Sequence, residues 1–512
     1  MFFWQKTKKN APQPRGLDDL NPSLEINLHW LKADILASDE TIVYRRFKTS
    51  GAKARDCVLV YADNMVKHEF LSQFVLRPMM QSSPPKHLRG EELIRYLSAN
   101  VIESDGSELV ARYGEIGDKI MNGVAVLLVD GCPLGIAVDA KGWPKRAVTE
   151  PPSESVVRGP RTGFSEDLGV NISLVRLKLS SPNFKTRFLY VGTQTKTKVA
   201  ILYLDNVTSL DLVEEVARRI DAIEIDAVLD SGYIQEMIRD APYSPFPTIG
   251  HTERPDVAAA KILEGRVAVL VDGSPFALTV PYLLVEAFQA NEDYYNQWMV
   301  GSFHRLIRYI SFFITTSTPA IYIALISYHP QLIPTNLVVS ISASRKNVPF
   351  PGIVEVILMG LVFEILREGG VRLPRPIGQA ISIVGAIVLG EAAVSASLVS
   401  APMIIVVGVT GVAGFVNPAL NDIAVLIRLL FVFLAAGLGL YGYVFGTIAI
   451  VLLLSSMESF GVPYLSTMTT IRPQDIKDTV VRVPWWQMRL RPRYLATKDR
   501  QRLQRRTGSK GP

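Results

Sequence analysis

PFPGIVEVILMGLVFEILREGGVRLPRPIGQAISIVGAIVLGEAAVSASLVS, residues Pro349–Ser400, decides the fold class. A hydrophobic helix comes first. An arginine-rich break follows (Arg367, Arg372, Arg375), then a longer apolar helix rich in glycine, alanine and serine. A soluble core has little use for a charged elbow between two such arms. A membrane hairpin has, with its basic loop on the cytoplasmic side. The small residues of the second arm suit close helix packing or a narrow lumen.

The flanks extend this reading. Upstream, Tyr309–Tyr328 carries no formal charge and is long enough to span a hydrocarbon layer of about 30 Å. Arg305 and Arg308 precede it and place its start on the cytoplasmic side. Pro351–Leu366 is interrupted by Glu355 and Glu364, whereas Ile377–Val399 holds one carboxylate, Glu391. Downstream, Met403–Val416 is apolar but short and reads as re-entrant. Leu429–Met457 has 29 residues without charge, too many for one upright helix and few for two. Four to six spans are expected. An even number keeps both chain ends in the cytosol.

Glu355, Glu364, Glu391, Arg428 and Glu458 lie in or beside these apolar runs. A charge in lipid costs about 2.5–3.5 kcal/mol even on lenient insertion scales, so each should face protein or water. One reading is an ion or proton path. The other is pairing or snorkelling near helix ends, which suits Glu364, Arg428 and Glu458 better. Glu391 is more central, and both readings hold there. On a helix, Gly378, Ser382, Gly385, Leu389, Ala392 and Ala396 share one stripe, with Gln379 beside it. Such a stripe is a helix contact or the lining of a pore built by several copies.

The rest of the chain has another character. At 512 residues it exceeds one ordinary domain. Residues 1–300 hold 34 Lys and Arg against 39 Asp and Glu, and residues 472–512 hold 12 against 3. The net charge of +6 therefore belongs to the tail. A basic segment after the last apolar run suits the anionic cytoplasmic leaflet, and no nucleic-acid partner is expected. Cys57 and Cys132 have neither zinc spacing nor a disulfide framework and read as buried thiols. The opening MFFWQKTKKNAPQPRG is too short in apolar length for a signal peptide.

Paired β-rich runs recur in the first half. Thr41–Phe47 with Cys57–Ala62, and Val124–Val129 with Leu134–Val138, are answered by Phe184–Tyr190 with Val199–Leu204, and Val267–Val271 with Phe276–Val280. Tyr61, Asp63 and Asn64 recur 142 residues later as Tyr203, Asp205 and Asn206. Gly123, Asp130, Gly131 and Pro133 recur at the same offset as Gly265, Asp272, Gly273 and Pro275. Two separated motifs sharing one offset imply two related subdomains. The Asp-Gly pairs read as hairpin turns, and Asp63-Asn64 and Asp205-Asn206 as helix caps. No Walker loop, GxSxG, HExxH or kinase set appears, so no catalytic, cofactor or metal residue is assigned.

The expected fold is an α/β cytosolic domain of two related subdomains followed by a polytopic α-helical membrane domain. Its expected parts are a flexible N-terminal arm (1–37) with a short helix over Leu24–Leu36, subdomain 1 (38–155), subdomain 2 with its linker (156–300), the transmembrane domain (301–471) and a basic cytosolic tail (472–512).

FEILREGGVRLPRPIGQAISIVGAIVLGEAAVSASLVSAPMIIVVGVTGVAGFVNP (Phe363–Pro418) resembles the membrane core of the A subunit of GerA-type spore germination receptors, within the GerA/SpoVAF-like family. VVRGPRTGFSEDLGVNISLVR (Val156–Arg176) and YSPFPTIGHTERPDVAAAKILEGRVAVLVDGSPFALTVP (Tyr243–Pro281) resemble its soluble domain. The resemblance covers about residues 30–490; the arginine-rich tail is less typical. It implies the spore inner membrane, with the N-terminal domain and tail in the spore core. It implies a transporter-like B subunit that senses nutrient, a lipoprotein C subunit, and a homo-oligomer, a pentamer, forming a nutrient-gated cation channel. Two other functions compete with it, a secondary transporter using Glu391 and a non-conducting scaffold.

Overall fold

The computed structural model describes residues 19–51, 54–85, 87–104, 106–142, 151, 154, 156, 158–372, 388–469, 477–496 and 498–503. The first half holds two five-stranded antiparallel sheets of the same order. In the first, β1 (Ile42–Lys48), β2 (Asp56–Ala62), β3 (Ser107–Val110), β4 (Val124–Val129) and β5 (Gly135–Asp139) lie as 1-2-4-5-3. In the second, β6 (Phe184–Val191), β7 (Thr197–Leu204), β8 (Gly250–Thr252), β9 (Val267–Val271) and β10 (Ala277–Val280) lie as 6-7-9-10-8.

Alternation along each strand sends side chains to two cores. Cys57, Leu59 and Tyr61 join one with helix α2 (Gly90–Asn100). Val58, Val60 and Ala62 join the other with α1 (Leu24–Trp30) and α3 (Tyr113–Met121). Helices on both faces explain why the central strands read as unbroken apolar runs. The second sheet is covered alike, by α4 (Leu168–Arg176) and α6 (Pro255–Leu263) on one face and α5 (Leu210–Asp221) on the other. Both cysteines are buried, and burial pushes the Cys57 thiol up to about 12 and Cys132 up to about 11.

Two expectations are corrected here. Residues 20–36, assigned to a flexible arm, supply Leu20, Leu24, Leu28, Leu31 and Leu36 to the first core. They answer α4. Asn27 bonds the Asn21 backbone as Asn171 bonds Ser165, at an offset of 144 rather than 142. The second correction concerns the caps. Asp63 opens a short 3-10 turn without a side-chain cap and pairs with His68. Asp130 and Asp272 do the capping instead, accepting from the Leu24 and Leu168 amides at 3.1 and 3.3 Å. Their neighbours Gly131 and Gly273 hold φ near +81° and +85°, the geometry the hairpin turns need. The subdomains are joined by buried Arg176, whose Nη2 donates to Asp39 Oδ2 at 2.9 Å and Thr41 Oγ1 at 2.8 Å.

The second half is helical: α7 (Trp298–Ser327), α8 (Thr335–Arg345), α9 (Gly352–Arg372), a helical turn over 388–395, α10 (Ala401–Phe415), α11 (Asn421–Leu438) and α12 (Leu440–Ser456). Among the described residues, Trp298–Ser327 and Pro418–Leu438 are long and apolar enough to cross a membrane. Ala401–Phe415 and Leu440–Ser456 are apolar but shorter. The uncharged run Leu429–Met457 breaks at Gly439, where φ is +64°. A Cβ there would come within 3.0 Å of Tyr328 and His329, so only glycine fits. Phe246, Tyr282 and Phe288 of the α/β half share one apolar cluster with Ala320, Ile323 and Phe431 of the helices.

Residues 489–496 and 498–503 of the tail dock on the second subdomain. Arg491 Nε donates to Leu263 O at 2.7 Å, Lys498 Nζ to Asp205 O at 2.7 Å, and Arg502 Nη2 to Glu264 Oε1 at 2.8 Å. Ala496 is buried in the second subdomain's core. These three cations meet carboxylates and carbonyls of the protein itself, whereas Arg489, Arg493 and Arg500 are exposed.

Candidate functional site

The α/β half meets the helices through a buried ionic knot. Arg305, about two turns into α7, is fully buried. Its Nε donates to Asp293 Oδ2 at 3.3 Å, and its Nη1 to Asp478 Oδ1 and to Asp478 O, each at 2.8 Å. Arg308 forks onto both oxygens of Asp293 at 2.8 Å. Tyr294 OH donates to Asp478 Oδ2 at 2.7 Å. Two arginines thus face two aspartates, and all four carboxylate oxygens accept a hydrogen bond, while Arg305 Nη2 has no hydrogen-bond partner. Gly301 permits the approach, since a Cβ there would sit 2.8 Å from Asp293 O. Burial holds the Asp478 carboxyl above the usual range, with Arg305 opposing, and burial pushes the Tyr294 phenol well up. Arg305 ties α7 to the segment that follows α12, and Arg308 ties it to Asp293 just before α7.

A second knot lies beside it. Arg266 Nη2 donates to Glu286 Oε1 at 2.8 Å, Lys261 pairs with Glu286 at 3.1 Å, and Glu264 pairs with both Arg266 and Arg502. Burial would raise the Glu264 carboxyl, but the two guanidinium groups outweigh it and hold it below the usual range. The two knots fasten the tail to both halves.

Within the helices, Glu364 and Glu355 are paired with arginines. Glu364 Oε1 accepts from Arg428 Nη2 at 2.7 Å and its other oxygen meets Arg367 at 3.0 Å. Glu355 is fully buried in α9. Its Oε2 accepts from the Ser400 amide at 2.8 Å and hydroxyl at 2.7 Å, and its Oε1 from Arg345 Nε at 3.3 Å. Glu355 thereby fixes the residue that opens α10. Thr315, Thr316 and Thr410 return their hydroxyls to carbonyls of the preceding turn, which keeps them satisfied in an apolar setting.

Of the stripe residues, Leu389, Ala392 and Ala396 are exposed on the single chain, as is Glu391 beside them. Gly378, Gln379, Ser382, Gly385 and the elbow's Arg375 lie outside the described residues. Arg428 is buried and paired, and Glu458 is exposed. The sequence singled out Glu355 and Arg305 but not their partners Ser400 and Asp478. An apolar helix bearing one carboxylate announces that a partner is needed, not which one. Glu458, Asp211, Glu215 and Asp240 line a cavity of about 520 Å³ between α5, the turn after α12 and the tail. Among the described residues no three His, Cys, Asp or Glu side chains are grouped to hold a metal.

Residues 31–494 match the model of the family described as Bacillus/Clostridium GerA spore germination protein. The chain is 41% identical to the Bacillus subtilis "Uncharacterized membrane protein YfkQ" over 92% of its length and 91% of that protein. It is 39% identical to "Spore germination protein B1" of the same species, over 92% of its length and 97% of that protein. With the B. subtilis "Spore germination protein KA" it shares 37% identity over 94% of its length and 88% of that protein. Among solved structures it resembles the N-terminal domain of the A subunit of the Bacillus megaterium spore germinant receptor GerK3. There the identity is 28%, the TM-score is 0.43, and the match covers 53% of this chain and 99% of that one.

Proposed function

Because the chain belongs to the GerA spore germination protein family, we propose that it is the A subunit of a nutrient germinant receptor in the spore inner membrane. It works with a transporter-like B subunit and a lipoprotein C subunit. Several copies, five on the family's pattern, assemble around a path for monovalent cations. The α/β half and the tail face the spore core. Nutrient bound by the B subunit shifts a closed–open equilibrium, and outflow of ions such as K⁺ starts germination.

The observation that carries this reading is a contrast between two groups of residues. Glu355, Glu364 and Arg428 are satisfied inside the chain, whereas Leu389, Glu391, Ala392 and Ala396 face outward from it. A conduit formed by several copies would run along such a face, with small side chains and few fixed charges. The junction knots then act as the coupling. Arg305 and Asp478 make the α/β half, the first helix and the tail move as one.

The test is reconstitution of the full chain with its B and C partners in K⁺-loaded vesicles. Nutrient should trigger K⁺ efflux at channel rates. Ala392→Trp and Gly385→Trp should block it while the complex still assembles. Efflux limited to carrier turnover and abolished by Glu391→Gln would instead identify a secondary transporter. Unchanged ion release from spores lacking the chain would identify a scaffold.

A further inference from the structure

At the end of α7 remote from the α/β half, α7 and α8 enclose a cavity of about 270 Å³. Ile326, Ile333, Val338 and Ile341 wall it, and Arg345 and Lys346 line it too. From Arg305 to Ile326 the helix rises about 32 Å, close to the thickness of a hydrocarbon core. The junction knot and this cavity therefore sit at opposite faces of a membrane crossed by α7.

The polar side of the cavity is cationic. Arg345 uses Nε for Glu355 at 3.3 Å. Among the described residues Arg345 pairs with Glu355 alone, and the Lys346 ammonium meets no carboxylate within ion-pair distance. Glu355 offsets one of these two charges and leaves the other. A guanidinium fork suits the two oxygens of a carboxylate or phosphate. Apolar walls suit an apolar body. The volume lies just under the range of ordinary ligand pockets, about 300–1,000 Å³, so the body is small or enters only in part.

We infer that this cavity binds an anion, a carboxylate or phosphate, carried on a small apolar body. A soluble branched carboxylate and the headgroup end of an acidic lipid share that chemistry. The site is separate from the channel reading and does not rest on it. It also reaches beyond itself. A bound anion shares Arg345 with Glu355, and Glu355 holds the amide and hydroxyl of Ser400. Occupancy thus bears on the start of α10 and on the 388–395 turn just before it.

The full chain in phosphatidylcholine nanodiscs, titrated calorimetrically with isocaproate and with its neutral isostere isocaproamide, tests this. Isocaproate should bind saturably and the amide about tenfold more weakly or worse. Lys346→Glu reverses the free charge and Val338→Trp fills the space. Each should weaken isocaproate about tenfold or more. Both positions lie at the rim, so thermal unfolding should stay as in the wild type, and Arg345 is left intact to hold Glu355. In nanodiscs containing phosphatidylglycerol, loss of isocaproate binding, with the lipid retained in native mass spectra by the wild type and not by Lys346→Glu, would support the site and assign it to the lipid. If neither isocaproate nor phosphatidylglycerol distinguishes the wild type from the two variants, the inference is overturned.

Discussion

Arg305 Nη1 and Asp478 Oδ1 stand 2.8 Å apart, although they are 173 positions apart in sequence and the whole helical half lies between. The bond closes that half at its base. Arg305 is fully buried, and its loss would leave Asp478 without its cation, while Asp293 keeps Arg308. Breaking a buried pair from one side costs about 3–5 kcal/mol. Arg305→Met should therefore lower thermal stability sharply. Asp478→Asn keeps an acceptor for Arg305 and should cost less. Equal melting temperatures for the two variants would contradict this account of the knot.

Glu364 and Arg428 allow a finer test, because Glu364 has a second partner. Arg428→Met leaves Glu364 with Arg367 at 3.0 Å. Glu364→Leu leaves Arg428 buried and alone, while Arg367 retains Asp422 at 3.3 Å. The glutamate change should be the more damaging of the two. The double variant should recover part of the loss, with a coupling of about 0.5–3 kcal/mol in a double-mutant cycle on the full chain. Additive losses would mean that the two groups do not depend on each other.

The caps of the duplicated domain predict matched effects at unlike places. Asp130→Ala and Asp272→Ala each remove an acceptor from the first amide of a core helix, α1 or α4. Each should cost about 1 kcal/mol. The sites belong to different subdomains and share no partner, so the losses should add within about 0.5 kcal/mol. Denaturant unfolding of the full chain measures this. A harmless Asp130→Ala would return residues 20–36 to the status of a loose arm.

What the sequence revealed depended on local pattern. The VDG turns at one offset exposed the duplication, and each turn glycine has the positive φ that its motif implies. The kinship of α1 and α4 escaped because two extra residues move the offset from 142 to 144. The break at Gly439 was equally hidden. Nothing in the uncharged run marks it, since what requires glycine is the approach of Tyr328 and His329 from another helix. Charge totals misled at the tail. A surplus of arginine concealed Asp478, a carboxylate that reaches Arg305. Long-range partners such as Ser400 for Glu355 have no spacing signal at all.

Glu264 makes the tail's docking sensitive to acid in a defined direction. Burial alone would raise its carboxyl, yet Arg266 and Arg502 outweigh burial and hold it below the usual range, about 4.3 for glutamate. A carboxylate whose folded value is depressed stabilises the folded state above its unfolded value. That stability is lost as pH falls through the depressed one. The contact between Glu264 and Arg502 should therefore persist through neutral and mildly acidic solution and fail only below the ordinary carboxylate range. Hydrogen exchange of residues 489–503, corrected for the intrinsic pH dependence of exchange, reads this directly. Glu264→Gln keeps the volume and removes the charge, so protection of the tail should be reduced at neutral pH and its acid transition should vanish. A wild-type transition that begins above the ordinary carboxylate range, or one that survives in Glu264→Gln, would assign the tail's attachment to another group.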